Sequence, residues 1–125
     1  MFNARVLLRT EALGAVEVTA PAGWAGPPLH HHAFDEAFYV LEGTLTFQLG
    51  DEQVRAGRDA FVHVPGGDVH SLANHGSDSA RYLLLCTPGG FERRFDEVPD
   101  GPVPETIVVG GPLEVRADVP WLSGG

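Results

Sequence analysis

Glycine and proline cut this 125-residue chain into short apolar runs, 16 of the one and 10 of the other, and that punctuation constrains its architecture more than any other feature. Glycine admits backbone angles that other residues avoid, and proline cannot donate to a β-ladder, so each tends to close a strand. Two short strands, Arg5-Val6-Leu7-Leu8-Arg9 and Ala15-Val16-Glu17-Val18-Thr19, flank Gly14, with Val16 and Val18 directed inward. A loop carrying Pro21, Gly23, Gly26, Pro27, Pro28 and Trp24 follows, with Trp24 either covering the mouth of the fold or packing on its rim. Ala37-Phe38-Tyr39-Val40-Leu41 is apolar on both faces and so requires cover on both. After the Glu42-Gly43 turn, alternation puts Leu45, Phe47 and Leu49 on one face before a Gly50-Asp51 hairpin. A strand beginning at Val54, a turn at Gly57-Arg58-Asp59, a run from Ala60 ending at Pro65, and Arg81-Tyr82-Leu83-Leu84-Leu85-Cys86-Thr87 complete the pattern. Strands at this spacing indicate an all-β fold, an antiparallel jelly-roll barrel or double-stranded β-helix. Phe91, Phe95 and Val98 fall at helical spacing and predict a short amphipathic helix that closes one end of the barrel or acts as a lid. Residues 1–98 are expected to form the barrel, and 99–125 a Pro/Gly-rich tail with one strand at 106–109.

Within this frame one stretch carries chemistry: His30-His31-His32-Ala33-Phe34-Asp35-Glu36. In an extended chain alternate side chains share a face, so His30 and His32 project together about 7 Å apart while His31 points away. Glu36, four residues on, can enter the next strand with its carboxylate on the same interior face, and His70 arrives from a separate strand. Three neutral nitrogens and one anionic oxygen suit a divalent transition metal, Fe, Mn, Ni, Zn or Cu, better than Mg or Ca. Glu36 is then either a ligand or a partly detached base. Counting in twos gives Phe38, Val40, Phe47, Leu72 and Leu84 as the lining of an apolar pocket. His63 alternates with Phe61 and is expected either to approach the site or to sit hydrogen-bonded in its wall. His31 and His75 read as exterior or turn residues, and Cys86 as a small core hydrophobe.

These residues resemble the two motifs of the cupin superfamily. His30-x-His32-x3-Glu36-x6-Gly43 is similar to the first motif from its first histidine onward, although Trp24 stands where the family's leading glycine would be. Pro65-x-Gly67-x2-His70-x3-Asn74 is similar to the second, with Gly57 two positions further ahead than usual. Gly43, Pro65, Gly67 and Asn74 are structural positions in this pattern, Asn74 fixing a turn through nearby backbone. The stretch from Phe38 to Glu92 also resembles small bacterial cupins compared with quercetin dioxygenase. That resemblance implies a metal-dependent enzyme oxygenating an enolic or flavonol-like small molecule. Two further classes stay open: an isomerase, cyclase or decarboxylase using the metal as a Lewis acid, and a non-catalytic small-molecule binder.

Charge narrows the partners. With 8 basic and 17 acidic side chains, a net of −9, the chain repels nucleic acid and anionic membrane at long range, so neither is an expected partner. The single Cys86 and the absence of a signal-like or 18-residue apolar segment point to a reducing, cytoplasmic setting. The apolar run at 106–109 would be an association hazard if exposed, and docking the tail on a neighbouring subunit removes it. A homodimer is therefore expected, and a monomer by light scattering overturns that expectation.

Overall fold

The computed structural model describes residues 1–122 as ten strands and one helical turn. The strands are β1 (Asn3–Arg9), β2 (Gly14–Ala20), β3 (His30–His31), β4 (Asp35–Glu42) and β5 (Leu45–Leu49), followed by β6 (Glu52–Ala56), β7 (Phe61–Val64), β8 (His70–Ala73), β9 (Ala80–Thr87) and β10 (Ile107–Val108). They form two five-stranded sheets, in the orders β1-β2-β9-β4-β7 and β10-β3-β8-β5-β6, and every pairing within them is antiparallel. This is the double-stranded β-helix expected from the turn spacing. Among the described residues no helix is long and apolar enough to cross a membrane.

The inner faces of the sheets meet in one core. Val16 and Val18 on β2, Phe38 and Val40 on β4, and Leu45 and Phe47 on β5 are all essentially inaccessible to solvent. Each such side chain contributes about 1.5–3 kcal/mol on burial. On β5 the alternation expected from sequence is incomplete: Leu49 is only half-buried, and Thr46 and Gln48 on the opposite face are buried as well. The C-terminal segment helps close that second face. Gln53 donates from Nε2 to Gln48 Oε1 and to the Glu114 carbonyl, and its Oε1 accepts from the Arg116 amide.

One expectation needs correction. The residues after Gly90 form a single 3₁₀ turn, Phe91–Phe95, rather than an amphipathic helix, and Val98 lies beyond it at 84% exposure. Phe91 and Glu92 are its buried members. The tail folds back on its own barrel through residue 122; residues 123–125 lie outside the described residues. Ile107 and Val108 pair with His31 and His30 on β3. Further on, Leu113 and Val119 are buried and Trp121 lies beside Arg55, whose guanidinium stacks 4.6 Å from the indole centroid. Beyond β10 the tail has no periodicity to betray this, because side-chain amides and isolated backbone bonds hold it rather than a ladder.

Asn74 ties the barrel's loops together. Fully buried, it donates from Nδ2 to the carbonyls of Ala20 and Asp78 and accepts from the Gly76 amide, while its own amide donates to the Trp24 carbonyl. Asn74→Ala strips partners from buried backbone groups and is expected to lower the unfolding free energy by about 2–4 kcal/mol in urea titrations. A loss below about 1 kcal/mol would show that water replaces the amide at little cost.

Candidate metal centre and its cavity

Four side chains from both sheets converge. His30 and His70 are direct cross-strand partners on β3 and β8, Glu36 faces them from β4, and His32 enters from the bend between β3 and β4. All four are buried, and their ligand atoms lie within 4.8 Å of one another. The extended geometry argued from sequence survives only in part, because β3 stops at His31 and His32 turns inward from the following loop. His31 is half-buried beside β10, and His75 is exposed.

The two motifs are bonded to each other, which is why these ligands meet. The Gly67 amide donates to the His32 carbonyl, and the Gly66 amide donates to Asp35 Oδ1. Gly66 passes so close to the Ala33 carbonyl that a Cβ would stand 2.2 Å from its oxygen, and Gly67 has φ of 91°. A side chain at either position would push the turn that aims His70 out of place.

The protonation pattern points to a cation. Each histidine presents Nδ1 to a backbone carbonyl: His30 to Pro28 at 2.8 Å, His32 to Phe34 at 3.0 Å and His70 to Asp68 at 2.9 Å. A carbonyl only accepts, so Nδ1 carries the proton and each neutral ring turns the lone pair of Nε2 elsewhere. For His32 and His70 that nitrogen lies 2.6 and 2.9 Å from the same atom, Glu36 Oε1. Lone pairs facing a carboxylate require positive charge between them, supplied either by added protons or by a shared metal ion. Burial resists the first solution at His30, whose pKa it pushes below the ordinary value. For Glu36, burial opposes ionisation, but hydrogen bonds and charge from His32 and His70, once protonated at Nε2, outweigh it and hold the carboxyl below the usual carboxylate range. Ligands on an ion with bonds of about 2.1 Å stand about 3–4 Å apart, the scale on which these four atoms, all within 4.8 Å of one another, are gathered. The residues present therefore fit a transition metal, and the carbonyl-anchored rings supply the outer shell such sites use.

A cavity of about 510 Å³ opens beside the cluster. His30, Glu36 and His70 reach it, and Phe38, Leu72 and Leu84 line it as counted from sequence. Val40 and Phe47 do not; they lie in the core beneath. His63 is a correction as well. It shares a face with Phe61 as expected, but that face is outward, since Val62 and Val64 take the interior, and its side chain is 55% exposed, with Nε2 3.8 Å from Asp35 Oδ2. Counting in twos establishes which residues share a face, and only the packed sheet shows which face is inside.

Several wall residues escaped the sequence reading: Tyr82, Phe91, Arg94, Phe95, Phe2 and Val108. Tyr82 stands two residues before Leu84 on β9, so the same count would have found it, whereas Phe2 and Val108 arrive from distant segments with no local signal. Trp24 lines the cavity and packs against Phe2 and Tyr82, which places it at the mouth. Phe91 packs on Phe34, which in turn stacks flat on His32 with centroids 3.6 Å apart. Cys86 is buried beneath the 3₁₀ turn, its thiol pushed up to about 11 by burial, so it remains protonated near neutral pH.

Comparison with known proteins gives the same picture. The family described as Cupin domain matches residues 16–86, more than half the chain. Over 76 residues the chain is 33% identical to the tetracenomycin polyketide synthase protein TcmJ of Streptomyces glaucescens, covering 60% of this chain and 51% of that protein. It is 32% identical over 72 residues to quercetin 2,3-dioxygenase of Bacillus subtilis, a distant homologue, covering 57% of this chain and 21% of the dioxygenase. The chain thus spans about half the length of the first of these relatives and about a fifth of the second. Among solved structures, an RmlC-like cupin family protein with a double-stranded β-helix fold from Methanocaldococcus jannaschii superposes with a TM-score of 0.64 at 20% identity, covering 71% of this chain and 82% of that one. At that identity the likeness is one of fold.

Because the folded pKa of His30 lies below the ordinary 6.5, the unfolded chain binds the extra proton first as pH falls. The metal-free protein is expected to keep this contribution above pH 6.5 and lose it as pH drops toward the folded value. Glu36, depressed below 4.5, adds a second loss below that pH. Urea unfolding between pH 8 and 4 should show both declines, with His30→Asn flattening only the upper one. A stability curve that is level from pH 7.5 to 5 would contradict the assignment.

Proposed function

We propose that this chain, which belongs to the cupin family, is a metal-dependent enzyme acting on a small enolic or aromatic molecule, with dioxygenase-type chemistry. The observation that carries this reading is a cavity walled by Trp24, Phe38, Tyr82 and Phe91 that ends on the His30, Glu36 and His70 side chains. Aromatic walls favour a flat, apolar ligand, and the polar end orients its reactive oxygen.

His30, His32, Glu36 and His70 would hold the ion. When bound, it supplies Lewis acidity and, if redox-active, a route for electrons between substrate and dioxygen. The chain's own residues do the rest. Glu36 directs Oε1 at His32 and His70, while Oε2 has no partner among the described residues, which leaves it able to accept the proton of a substrate hydroxyl. Phe38 and Leu84 hold the ring system against the floor, and Trp24 shields it from bulk water. The likeness to a quercetin 2,3-dioxygenase supports oxygenation of an enol-bearing aromatic. The likeness to a polyketide synthase protein supports a second reading, in which the ion acts only as a Lewis acid in an isomerisation or cyclisation of a polyketide-like molecule.

Elemental analysis of natively purified protein, joined to oxygen-uptake assays with flavonols and hydroxynaphthalenes, separates the two. About one equivalent of Fe, Mn, Ni or Cu with substrate-dependent uptake is the expected result. Zinc with turnover but no uptake favours the Lewis-acid reading. His32→Ala should lose both metal and activity, and full metal occupancy in that variant would sink the proposed ligand set.

A further inference from the structure

The 3₁₀ turn places a cation in the cavity wall. In a helix of three residues per turn, side chains three apart eclipse, so Arg94 stands over Phe91, and both face the cavity. The turn is held by Glu92, which is buried; its Oε1 accepts from the Gly90 amide at 2.6 Å and lies against Gly14, where a Cβ would stand only 2.2 Å away. Neighbouring arginines are occupied: Arg9 pairs with Asp96 and Asp100, and Arg93 with Asp100. Among the described residues, no ion pair or hydrogen bond engages the Arg94 guanidinium. It is exposed and lines the cavity, and so belongs to the mouth.

Tyr82 lies deeper. Its side chain is 3% exposed and packs between Trp24 and Phe38, yet its hydroxyl also has no partner among the described residues. Burial pushes this hydroxyl well above the ordinary tyrosine range and the nearby Glu36 adds to the effect, so it remains a hydrogen-bond donor. The cavity therefore offers a neutral donor within and a planar cation at its rim, separated by an aromatic wall. In a chain of net charge −9, an unpaired arginine here is a local reversal of the overall field.

We propose that the substrate is an aromatic carboxylate, its carboxylate held by Arg94 at the cavity mouth and a ring oxygen met by the Tyr82 hydroxyl. This rests on the enzymatic reading above and narrows its substrate class. The planar guanidinium matches a carboxylate through two parallel hydrogen bonds, which a neutral phenol cannot reproduce.

Calorimetric titration of the metal-loaded protein with 1-hydroxy-2-naphthoate and with 1-naphthol tests it, since the two probes share a ring and differ in the carboxylate. The wild type is expected to bind the carboxylate about tenfold more tightly, the size of a charge-assisted contact at a partly exposed site. Arg94→Gln should abolish that preference, and Arg94→Lys should restore part of it. Tyr82→Phe should weaken both probes by a similar factor. No preference in the wild type, or a preference that survives Arg94→Gln, overturns the proposal. Binding is read without turnover, so an Arg94-dependent preference without catalysis would sink the enzymatic reading alone. Oxygen uptake with a neutral flavonol, unaffected by Arg94→Gln and accompanied by no carboxylate preference, would sink this inference alone.

Discussion

A carboxylate buried against imidazoles in an apolar barrel is the constraint around which this structure is built. Removing Glu36 from water costs several kcal/mol, and the cost is offset only if compensating charge and hydrogen bonds are delivered to a point. His32 and His70 bring Nε2 to the same carboxylate oxygen from different segments, where a shared cation or added protons complete the balance, so the loops and strands that carry those residues must be held in register. The bonds from Gly67 to His32 and from Gly66 to Asp35 do so directly, joining the turn before β8 to the bend before β4. The surrounding Val16, Val18, Leu45 and Phe47 supply the apolar burial that makes such a polar cluster tolerable.

The same cluster explains the placement of the cavity. Sheet faces packed against each other leave little room, yet the site requires space beside its ligands. The fold provides it by opening the sheets at one end and closing the gap with parts from elsewhere: the Trp24 loop, the 3₁₀ turn and β10. Each is secured independently. The Trp24 carbonyl accepts from Asn74, the turn is fixed by buried Glu92, and β10 pairs with β3. Ligand access can therefore be tuned at the rim without disturbing the metal-binding residues. The family match accords with that division, since residues 16–86 include the cluster and leave out Phe91, Arg94 and β10.

The apolar side chains of β10 show how far the tail solves its own association problem. Pairing with β3 satisfies backbone groups, but Ile107, Val108 and Val109 remain about half exposed. On the opposite sheet, Leu7 and Leu8 of the edge strand β1 and Phe61 of the other edge are exposed too. Backbone pairing within one chain and side-chain cover are separate requirements, and the tail meets the first.

Local rules made much of this legible. Strand alternation and Gly/Pro punctuation determined the fold class and the inward set Val16, Val18, Phe38 and Val40, because a strand's period and a turn's backbone demands act over a few residues; the grouping of His30, His32, Glu36 and His70 was legible through the spacing of the two motifs that carry them. The shared face of Phe61 and His63 was equally visible, but its outward direction was not, since that depends on which side of the strand meets the second sheet. The 3₁₀ turn, the return of the tail, and the convergence of Phe2, Tyr82, Arg94 and Val108 on one cavity were decided only in three dimensions. Those contacts join residues up to about a hundred positions apart through packing and isolated hydrogen bonds, which leave no periodic trace along the chain.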